Sequence, residues 1–377
     1  MKVVVIGAGV GGLAAAIGLH RVGAEVQVLE RRGGLPAEGS GLTLFGNGFT
    51  ALDTIGAGDA VRAVCAAEAA GRIGGIRRPD GTWLMRTEVP ADSPIRVVHR
   101  RDLSRALAGV LPPDSVRWSF AVDSVTDTGD RVIVEGADGS AVDADLVIAA
   151  DGIDSAVRRS WPSDPRVIDA GYAAWRAVTD RPVDIGGSAG ETWGTGLRFG
   201  YAPLRHGRVY WFAVVGTRHD TADPVEALGR FAGWHDPIGA ILAATAPDAP
   251  FRLPIRALDR PAPTFVRGRT VLLGDAAHAM TPNLGQGANQ ALEDAATLSV
   301  LLRKVVDGPA ALSEVLAHYS HLRRPRVAAL TRQARLIGSV AHAPSPLVPL
   351  RDAVMRLIPA DRAQRQADAL QGWQPPR

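Results

Sequence analysis

The sequence predicts an α/β fold in which a Rossmann-type nucleotide-binding domain is interrupted by an antiparallel β-sheet and followed by C-terminal helices. The chain opens with a short apolar, β-branched run, residues 3–6, which is typical of parallel strands buried on both faces. Two more such runs follow at 145–150 and 270–273. Between the second and the third of these runs, residues 170–258 consist of strand-like segments that carry much of the aromatic content. This pattern predicts an antiparallel sheet inserted between parts of the nucleotide-binding domain.

The first predicted strand leads into a glycine-rich turn with the pattern G-x-G-x-x-G. Gly7 permits the tight turn, Gly9 lets a pyrophosphate approach the backbone, and Gly12 allows helix and strand to pack closely. The N-terminus of the following helix attracts phosphate through its free N–H groups and its dipole. Glu30 ends the second predicted strand, where its carboxylate can accept hydrogen bonds from ribose hydroxyls and would repel a 2′-phosphate. The stretch therefore predicts FAD or NAD rather than NADP, with a purely structural glycine turn as the alternative.

Composition and charge exclude several classes of protein. The chain has 377 residues, of which 46% are hydrophobic, and a net charge of only +3, with basic residues scattered among acids. We therefore expect no nucleic acid and no membrane as partner. The single cysteine, Cys65, excludes an internal disulfide and a cysteine-cluster metal site, and we expect no metal. Because the sequence shows no signal segment and no apolar run of membrane-spanning length, we expect a cytoplasmic protein.

Hydrophobic periodicity predicts further elements in the rest of the chain. A hairpin is expected where Pro79-Asp80-Gly81 separates two β-rich runs, 72–76 and 82–85. Strands are predicted at 172–178, 192–199 and 208–215, and helices at 224–245, 289–306 and 310–323.

The C-terminal tail carries apolar residues at helical spacing. They are Leu347, Leu350, Val354, Leu357 and Ile358. Because such stripes usually face a core, we expect this one to pack against the body of the protein, with a membrane surface as the alternative.

Four separated motifs closely resemble those of the para-hydroxybenzoate hydroxylase family, the single-component (class A) FAD-dependent monooxygenases. The motifs are the glycine turn with Glu30, then Arg100 with Leu103 and Leu107, then residues 150–155 with Arg158, and finally residues 273–295. They fall in the family's order over roughly residues 1–325. In length the chain is most similar to short members such as the FAD-dependent urate and 3-hydroxybenzoate hydroxylases, so we do not expect the extra C-terminal domain of many aromatic-polyketide hydroxylases.

The resemblance implies a Rossmann-type (GR2-like) FAD-binding domain with an inserted antiparallel β-sheet substrate domain and C-terminal helices. The FAD-binding domain would be discontinuous and comprise residues 1–72, 97–168 and 262–377. The substrate domain would comprise residues 73–96 and 169–261. The absence of a second G-x-G-x-x-G pattern agrees with a family whose members have no separate domain for NAD(P)H.

The resemblance also implies which residues hold FAD, without a covalent bond. Asp275 would accept hydrogen bonds from the ribityl hydroxyls, and the helix starting near residue 287 would direct its N–H groups at the flavin pyrimidine edge, which is anionic when reduced. Arg100 would neutralise the pyrophosphate or hold the flavin ring, and Arg31 would flank the adenosine ribose. Asp151 is associated in the family with FAD and the nicotinamide cofactor, but it could instead cap the helix that follows. The full implied set is Gly7, Gly9, Gly11, Gly12, Glu30, Arg31, Thr43, Arg100, Val122, Asp151, Gly274, Asp275, Pro282, Gly285, Gln286, Gly287, Ala288 and Asn289.

The implied activity is an NAD(P)H- and O2-dependent hydroxylation of an aromatic, polycyclic or other electron-rich small molecule through a hydroperoxide at flavin C4a. The substrate would lie between the flavin and the inserted sheet, near Arg198, Tyr210 and Phe212. Tyr210 and Phe212 share one face of their predicted strand, and core packing of that face is the alternative. Arg198 would hold a phenolate or enolate, with an exposed surface arginine as the alternative.

Several functions remain open from the sequence. The same scaffold supports epoxidation, Baeyer–Villiger insertion and oxidative decarboxylation. An NAD-dependent dehydrogenase is disfavoured by Gly274-Asp275 and the loop that follows, and a flavin-binding protein without turnover is a further alternative. Either NADH or NADPH would serve as co-substrate, and the protein would be a monomer or a homodimer.

Overall fold

The computed structural model of the chain describes residues 1–36, 39–66, 73–90, 93–308 and 310–377. The strands are β1 (Lys2–Ile6), β2 (Glu25–Leu29), β3 (Gly41–Leu44), β4 (Ile73–Arg77), β5 (Trp83–Glu88), β6 (Arg96–His99), β7 (Val116–Arg117), β8 (Val122–Asp127), β9 (Val132–Gly136), β10 (Ala141–Ala144), β11 (Leu146–Ala149), β12 (Val167–Val178), β13 (Gly190–Trp193), β14 (Leu197–Pro203), β15 (Val209–Gly216), β16 (Phe251–Leu258), β17 (Val266–Arg267) and β18 (Thr270–Leu272). The helices are α1 (Val10–Arg21), α2 (Gly46–Ile55), α3 (Gly58–Arg62), α4 (Arg100–Ala108), α5 (Ala156–Arg159), α6 (Pro224–Gly229), α7 (Ile238–Ala243), α8 (Asp275–His278), α9 (Gly287–Val306), α10 (Leu312–Ala341), α11 (Val348–Arg356) and α12 (Ala360–Gln371).

A six-stranded, mostly parallel sheet brings the three apolar runs of the sequence together. Its strand order is β17-β18-β11-β1-β2-β7, and only the edge pair β17–β18 is antiparallel. β1 lies between β2 and β11, and the apolar residues of β1, β11 and β18 are buried. Helices α1 and α9 pack against each other beside this sheet. The predicted α/β fold with a Rossmann-type core is therefore confirmed.

A second, seven-stranded sheet forms the other half of the molecule. Its order is β16-β12-β15-β14-β13-β4-β5, and all its pairs are antiparallel except β13–β4. The predicted hairpin is confirmed as β4–β5 and joins this sheet at its edge, although Arg72 lies outside the described residues. One face of the sheet buries Phe199 and Trp211 against Phe231 and the short helices α6 and α7. Because side chains alternate along a strand, the residues between these point to the opposite face.

Three predicted elements differ from the structure. Residues 192–199 are not one strand but the end of β13, a turn at 194–196 and the start of β14, because Gly196 adopts a left-handed backbone with φ +67°. The predicted helix at 224–245 is two short helices, α6 and α7, separated by a segment that contains Pro237. The helix predicted at 310–323 continues through Pro325 to Ala341. Helical residues on both sides of the proline are buried, and this burial stabilises the helix across it.

The apolar stripe of the tail faces solvent, so the prediction that it packs against the body was wrong. Its five residues are 40–79% exposed. Helix α11 instead buries its opposite face through the Arg351–Asp352 pair, in which Arg351 donates to Asp352 and to the carbonyls of Gly194 and Ala341. A buried ion pair with backbone partners thus takes the place that periodicity assigned to the leucines. None of the described helices is long and apolar enough to cross a membrane.

Candidate active site

A cavity of about 350 Å³ lies between the two sheets. The glycine turn after β1, the end of β18 and the start of α9 border it on one side. The residues of β12, β14 and β15 that point away from the Phe199–Trp211 core border it on the other. The cavity therefore joins the predicted dinucleotide site to the predicted substrate face.

The glycine turn passes so close to neighbouring carbonyl oxygens that a side chain on Gly7 or Gly12 would collide with them. Gly7 has φ +101°, and a Cβ there would lie 2.5 Å from the carbonyl oxygen of Ala150. A Cβ on Gly12 would lie 1.9 Å from the carbonyl oxygen of Gly7, so this glycine lets α1 approach β1. Gly9, in contrast, has open space where a Cβ would be, and it precedes α1 without a side-chain cap. The first N–H groups of α1 are thus left for a ligand in the cavity.

Glu30 is buried beside this turn, with 6% of its surface exposed. The N–H of Ala8 donates to its Oε2 at 2.7 Å, and the N–H of Arg32 donates to its Oε1 at 3.0 Å. These two bonds fix the carboxylate at the end of β2 while each oxygen keeps acceptor capacity. Glu30 therefore lies directly beside the glycine turn, and its contact with a ribose stays a prediction.

The second predicted cofactor segment borders the same cavity. Gly274 follows β18 with φ +63°, and Asp275 comes next as an exposed residue on the cavity wall. Within the described part of the chain, its carboxylate has no hydrogen-bond or ion-pair partner. Helix α9 starts at Gly287 without a side-chain cap and without an acidic residue in its first turn. A free carboxylate and a second uncapped helix N-terminus therefore face the cavity.

A buried ionic cluster fixes this segment from behind. Asp294 of α9 accepts hydrogen bonds from the N–H of Gly274 at 2.9 Å, from His278 Nε2 at 2.6 Å and from Arg323 Nε at 2.6 Å. Glu293 pairs with both Arg323 and Arg326. Burial alone would raise the pKa of Asp294, but His278 and Arg323 outweigh it and lower this pKa to about 2. The end of β18 is thus tied to two long helices through charges that are fully paired.

Gln286 and Asn289 connect the loops around the cavity and do not line it. Asn289 Oδ1 accepts from the N–H of Phe45, and its Nδ2 donates to the carbonyls of Thr43 and Gly285. Gln286 Oε1 accepts from Asn47 Nδ2 at 2.9 Å. Both side chains hold the loop before α9 against the segment that joins β3 to α2.

The sheet side of the cavity is aromatic and carries two arginines. Tyr210, Phe212 and Val214 of β15 all line the cavity, as do Tyr172, Ala174 and Arg176 of β12. Arg198 of β14 lies one strand away, with Val214 as its neighbour across the β14–β15 pair. We call this face, formed by the cavity-lining residues of β12, β14 and β15, the sheet wall.

Arg198 is not the exposed surface arginine that the sequence left open. It is 3% exposed, and its Nε and Nη2 donate to Glu191 Oε2 at 3.0 and 2.6 Å. Its Nη1 donates to Asn283 Oδ1 at 2.7 Å. The guanidinium charge is therefore neutralised by Glu191, and three of its five N–H donors are in use.

This contact set extends to the end of α10. Asn283 Nδ2 donates to the hydroxyl of Tyr172 at 3.1 Å, and the Tyr172 ring stacks on His342 with centroids 4.4 Å apart. Burial and the nearby Arg198 lower the pKa of His342 to about 4, so the imidazole stays neutral above that pH. The end of the long helix α10 therefore packs behind Tyr172, a residue of the cavity lining.

Most of the predicted site residues meet at this cavity, and eight lie behind or beside it. Those on the cavity are Gly9, Gly11, Thr43, Arg100, Gly274, Asp275, Pro282, Gly285, Gly287, Ala288, Arg198, Tyr210 and Phe212. Those outside the lining are Gly7, Gly12, Glu30, Arg31, Val122, Asp151, Gln286 and Asn289.

Asp151 and Val122 are two of the predicted residues that lie outside the cavity lining, and their contact with FAD stays a prediction. Asp151 Oδ2 accepts from the N–H of Ala156 at 2.9 Å at the start of α5, which is the capping role that the sequence left open. Burial raises the pKa of Asp151, and its Oδ1 has no partner among the described residues. Val122 lies in the three-stranded sheet β10-β9-β8, away from the cavity lining.

Sequence reasoning missed Tyr172, Arg176, Glu191 and Asn283, all of which line the cavity. The two-residue alternation along predicted strand 172–178 places Tyr172 and Arg176 on one face, but only strand pairing identifies that face as the cavity side.

Comparison with known proteins agrees with this geometry. Residues 1–334 match the family model described as FAD binding domain. The chain is 35% identical to "Aurachin C monooxygenase/isomerase" of Stigmatella aurantiaca, covering 96% of this chain and 95% of that protein. It is also 35% identical to "3-amino-4-hydroxybenzoate 2-monooxygenase" of Streptomyces cremeus, covering 94% and 92% of the two chains. The crystal structure of Klebsiella pneumoniae HpxO with FAD and uric acid superposes with a TM-score of 0.88 at 29% identity, over 99% of this chain and 96% of that one.

The residues at the cavity fit FAD. Two uncapped helix N-termini face it, as does the free carboxylate of Asp275, and Gly9 leaves open space where a phosphate would approach the backbone. The chain therefore belongs to the FAD-binding-domain family of flavin-dependent monooxygenases, and FAD is its cofactor.

Proposed function

We propose that this protein hydroxylates an electron-rich aromatic molecule, with NADH or NADPH and O2 as co-substrates, and that the aromatic ring lies between the flavin and the sheet wall. The observation that carries this proposal is the cavity itself, in which the dinucleotide segments and an aromatic sheet face line the same space. Relatives named for 3-amino-4-hydroxybenzoate, and a similar structure bound to uric acid, support a small aromatic ring as the substrate.

FAD, when bound, supplies the electron transfer and the activation of O2. The chain supplies position and charge around it. The N-terminus of α1 would hold the pyrophosphate, Asp275 would accept from ribityl hydroxyls, and the N-terminus of α9 would stabilise negative charge on the pyrimidine edge. Arg100 would neutralise phosphate or hold the ring, and Glu30 with Arg31 would bind the adenosine ribose. Gln286, Asn289 and the Asp294 cluster would keep these groups in place without touching the cofactor.

On the sheet wall, each residue type has a physical role in substrate binding. Phe212 offers a ring face for stacking, and Tyr210 offers a hydroxyl that stays protonated because burial raises its pKa. Arg198 is held in one orientation by Glu191 and Asn283, with two N–H donors left over. Arg198 would thus act as a fixed hydrogen-bond donor to a substrate oxygen rather than as a free positive charge.

We propose the same division into domains that the resemblance implies, with 1–72, 97–168 and 262–377 binding FAD and 73–96 and 169–261 binding substrate. The pairing of β4 with β13 supports it, because residues 73–77 then belong to the sheet that carries the sheet wall although they lie early in the chain.

The proposal is tested with the purified, FAD-loaded protein. We expect a yellow protein that releases FAD on denaturation and that oxidises NADH or NADPH with O2 uptake when a compound from a panel of phenols, N-heteroaromatics and polycyclic quinones is added. The product should contain one additional oxygen atom. A protein that binds only NAD, or that shows no aromatic-dependent O2 uptake across the panel, would contradict the proposal. A lactone or an epoxide as the product would redirect it to Baeyer–Villiger or epoxidation chemistry.

A further inference from the structure

Arg176 of the sheet wall carries a positive charge that has no ion-pair partner among the described residues. It lies on β12, lines the cavity and is only partly exposed. Its Nε is buried without a hydrogen-bond partner, and the guanidinium makes no ion pair with any described residue. Buried charges in proteins are normally paired, so an unpaired guanidinium inside a cavity indicates that its partner comes from a ligand.

Neither acidic residue of the cavity, Glu191 or Asp275, forms an ion pair with Arg176. Glu191 accepts from Arg198 and from Trp193 Nε1 at 2.7 Å. Asp275 borders the opposite, nucleotide side of the cavity. Burial and the charge of Glu191 raise the pKa of the Tyr210 hydroxyl, and the charges of Arg176 and Arg100 lower it. Glu191 is paired with Arg198, so Arg176 is left without an ion-pair partner among the described residues.

The neighbouring aromatic ring leaves Arg176 uncovered. Phe212 is the cross-strand partner of Arg176 on one side and of Gly200 on the other. A Cβ on Gly200 would lie 2.1 Å from the Phe212 ring, which shows that the ring leans over this glycine, toward β14 and away from β12. The ring face and the guanidinium thus lie side by side on the sheet wall, with Arg198 and its partner Glu191 on the far side of the ring.

We infer that Arg176 binds an anionic oxygen substituent of the substrate, a carboxylate on the aromatic ring, and so selects aromatic acids. This inference rests on the proposed function of the same site. A guanidinium presents paired N–H donors that match a carboxylate, and the adjacent Phe212 face would receive the ring. Arg176 is thereby a specificity-determining residue distinct from Arg198, whose charge Glu191 already neutralises.

The test compares two probes of the same shape and different charge, benzoate and benzamide, titrated into the FAD-loaded protein. Binding is read from the change in flavin absorbance and, independently of turnover, from the shift in melting temperature. We expect the wild-type protein to bind benzoate about tenfold or more tightly than benzamide. Arg176→Gln should remove this preference by weakening benzoate alone, and Arg176→Lys should keep part of it because the charge remains.

A matched control is Arg252→Gln. Arg252 lies on the adjacent strand β16 but opposite Trp175, so it is on the other face, where it pairs with Asp220. It should leave the binding of both probes unchanged. Retained benzoate preference in Arg176→Gln, or no preference in the wild-type protein, overturns the inference. Loss of FAD or a raised KM for NAD(P)H in Arg176→Gln overturns it too, because Arg176 would then serve a cofactor.

These outcomes are separable from those of the proposed function. Selective benzoate binding without aromatic-dependent O2 uptake would overturn the hydroxylase proposal and leave the assignment of Arg176 intact. Aromatic-dependent O2 uptake without charge selectivity would do the reverse. A phenolate probe that competes as well as benzoate would overturn the choice of carboxylate over phenolate.

Discussion

The two sides of the cavity differ in whether their arginines all have ion-pair partners within the chain. Behind the nucleotide side, Arg323 of α10 is 1% exposed and pairs with both Asp294 and Glu293, so no charge is left for a ligand. On the sheet wall, Arg198 is paired with Glu191, but Arg176 has no partner among the described residues. We conclude that charges paired within the chain hold the site together, whereas the unpaired charge of Arg176 is available to bind the ligand.

The largest effect is expected from breaking the paired cluster. Arg323→Met would leave Asp294 and Glu293 buried with less compensation, and we expect it to lower the free energy of unfolding by about 3–5 kcal/mol. Urea denaturation of the FAD-loaded protein measures this. Arg303→Met, an exposed position in the last turn of α9, is the control and should change stability little. A loss below 1 kcal/mol in Arg323→Met would show that the cluster is not what fixes the end of β18.

The free carboxylate of the nucleotide side should affect binding and leave the fold intact. Asp275→Ala removes an acceptor that makes no hydrogen bond or ion pair with the described residues, so we expect FAD affinity to fall roughly ten- to a hundredfold with no change in the melting temperature of the apoprotein. Equilibrium titration with FAD gives the affinity. Asp138→Ala, in an exposed turn, should retain wild-type affinity. Equal affinities in the two variants would remove Asp275 from the cofactor site.

His342 should make stability depend on pH below neutrality. Its folded-state pKa of about 4 lies below the value of 6.5 expected in the unfolded chain, so the unfolded state takes up the proton first. Stability is then fully present above pH 6.5 and falls as the pH drops toward 4, by about 1–2 kcal/mol at pH 5. His342→Phe preserves the stack on Tyr172 without a titrating group and should flatten this part of the profile. Identical pH profiles for the two proteins would contradict the assignment.

The smallest effect is expected from a change at Glu191, which tests the difference between Arg176 and Arg198. Glu191→Gln removes the negative charge that neutralises Arg198, which gives the sheet wall a second free cation. Benzoate should then bind several-fold more tightly while benzamide is unaffected, as measured by the same flavin titration. Unchanged benzoate affinity would mean that the charge of Arg198 does not reach the substrate position.

The nucleotide side could be predicted from sequence because its chemistry is local. Gly7, Gly9 and Gly12 lie within one turn, and Gly274-Asp275 follows an apolar run directly, so each motif carries its own structural context. The sheet wall is built by pairing between distant strands. Arg176 meets Phe212 only because β12 pairs with β15, and no local pattern encodes that register.

Two wrong predictions followed a periodic pattern in the sequence. The run 192–199 alternates like one strand, and only the left-handed Gly196 reveals the turn that places Glu191 beside Arg198. The tail stripe indicates a helix with an apolar face, but the buried pair Arg351–Asp352 decides which face docks. In the first case a local glycine turn interrupts the periodic pattern, and in the second a polar contact between distant segments overrides it.

The incorporation of oxygen tests the assignment of this cavity most directly. The FAD-loaded protein would be supplied with NADH or NADPH, an aromatic acid that stimulates O2 uptake, and isotopically labelled O2, and the product would be analysed by mass spectrometry. One labelled oxygen atom per product molecule is the expected result, since a monooxygenase transfers a single atom of O2 to its substrate. Product whose new oxygen comes from water, or NAD(P)H oxidation that yields only peroxide with every aromatic acid tested, would contradict hydroxylation at the sheet wall.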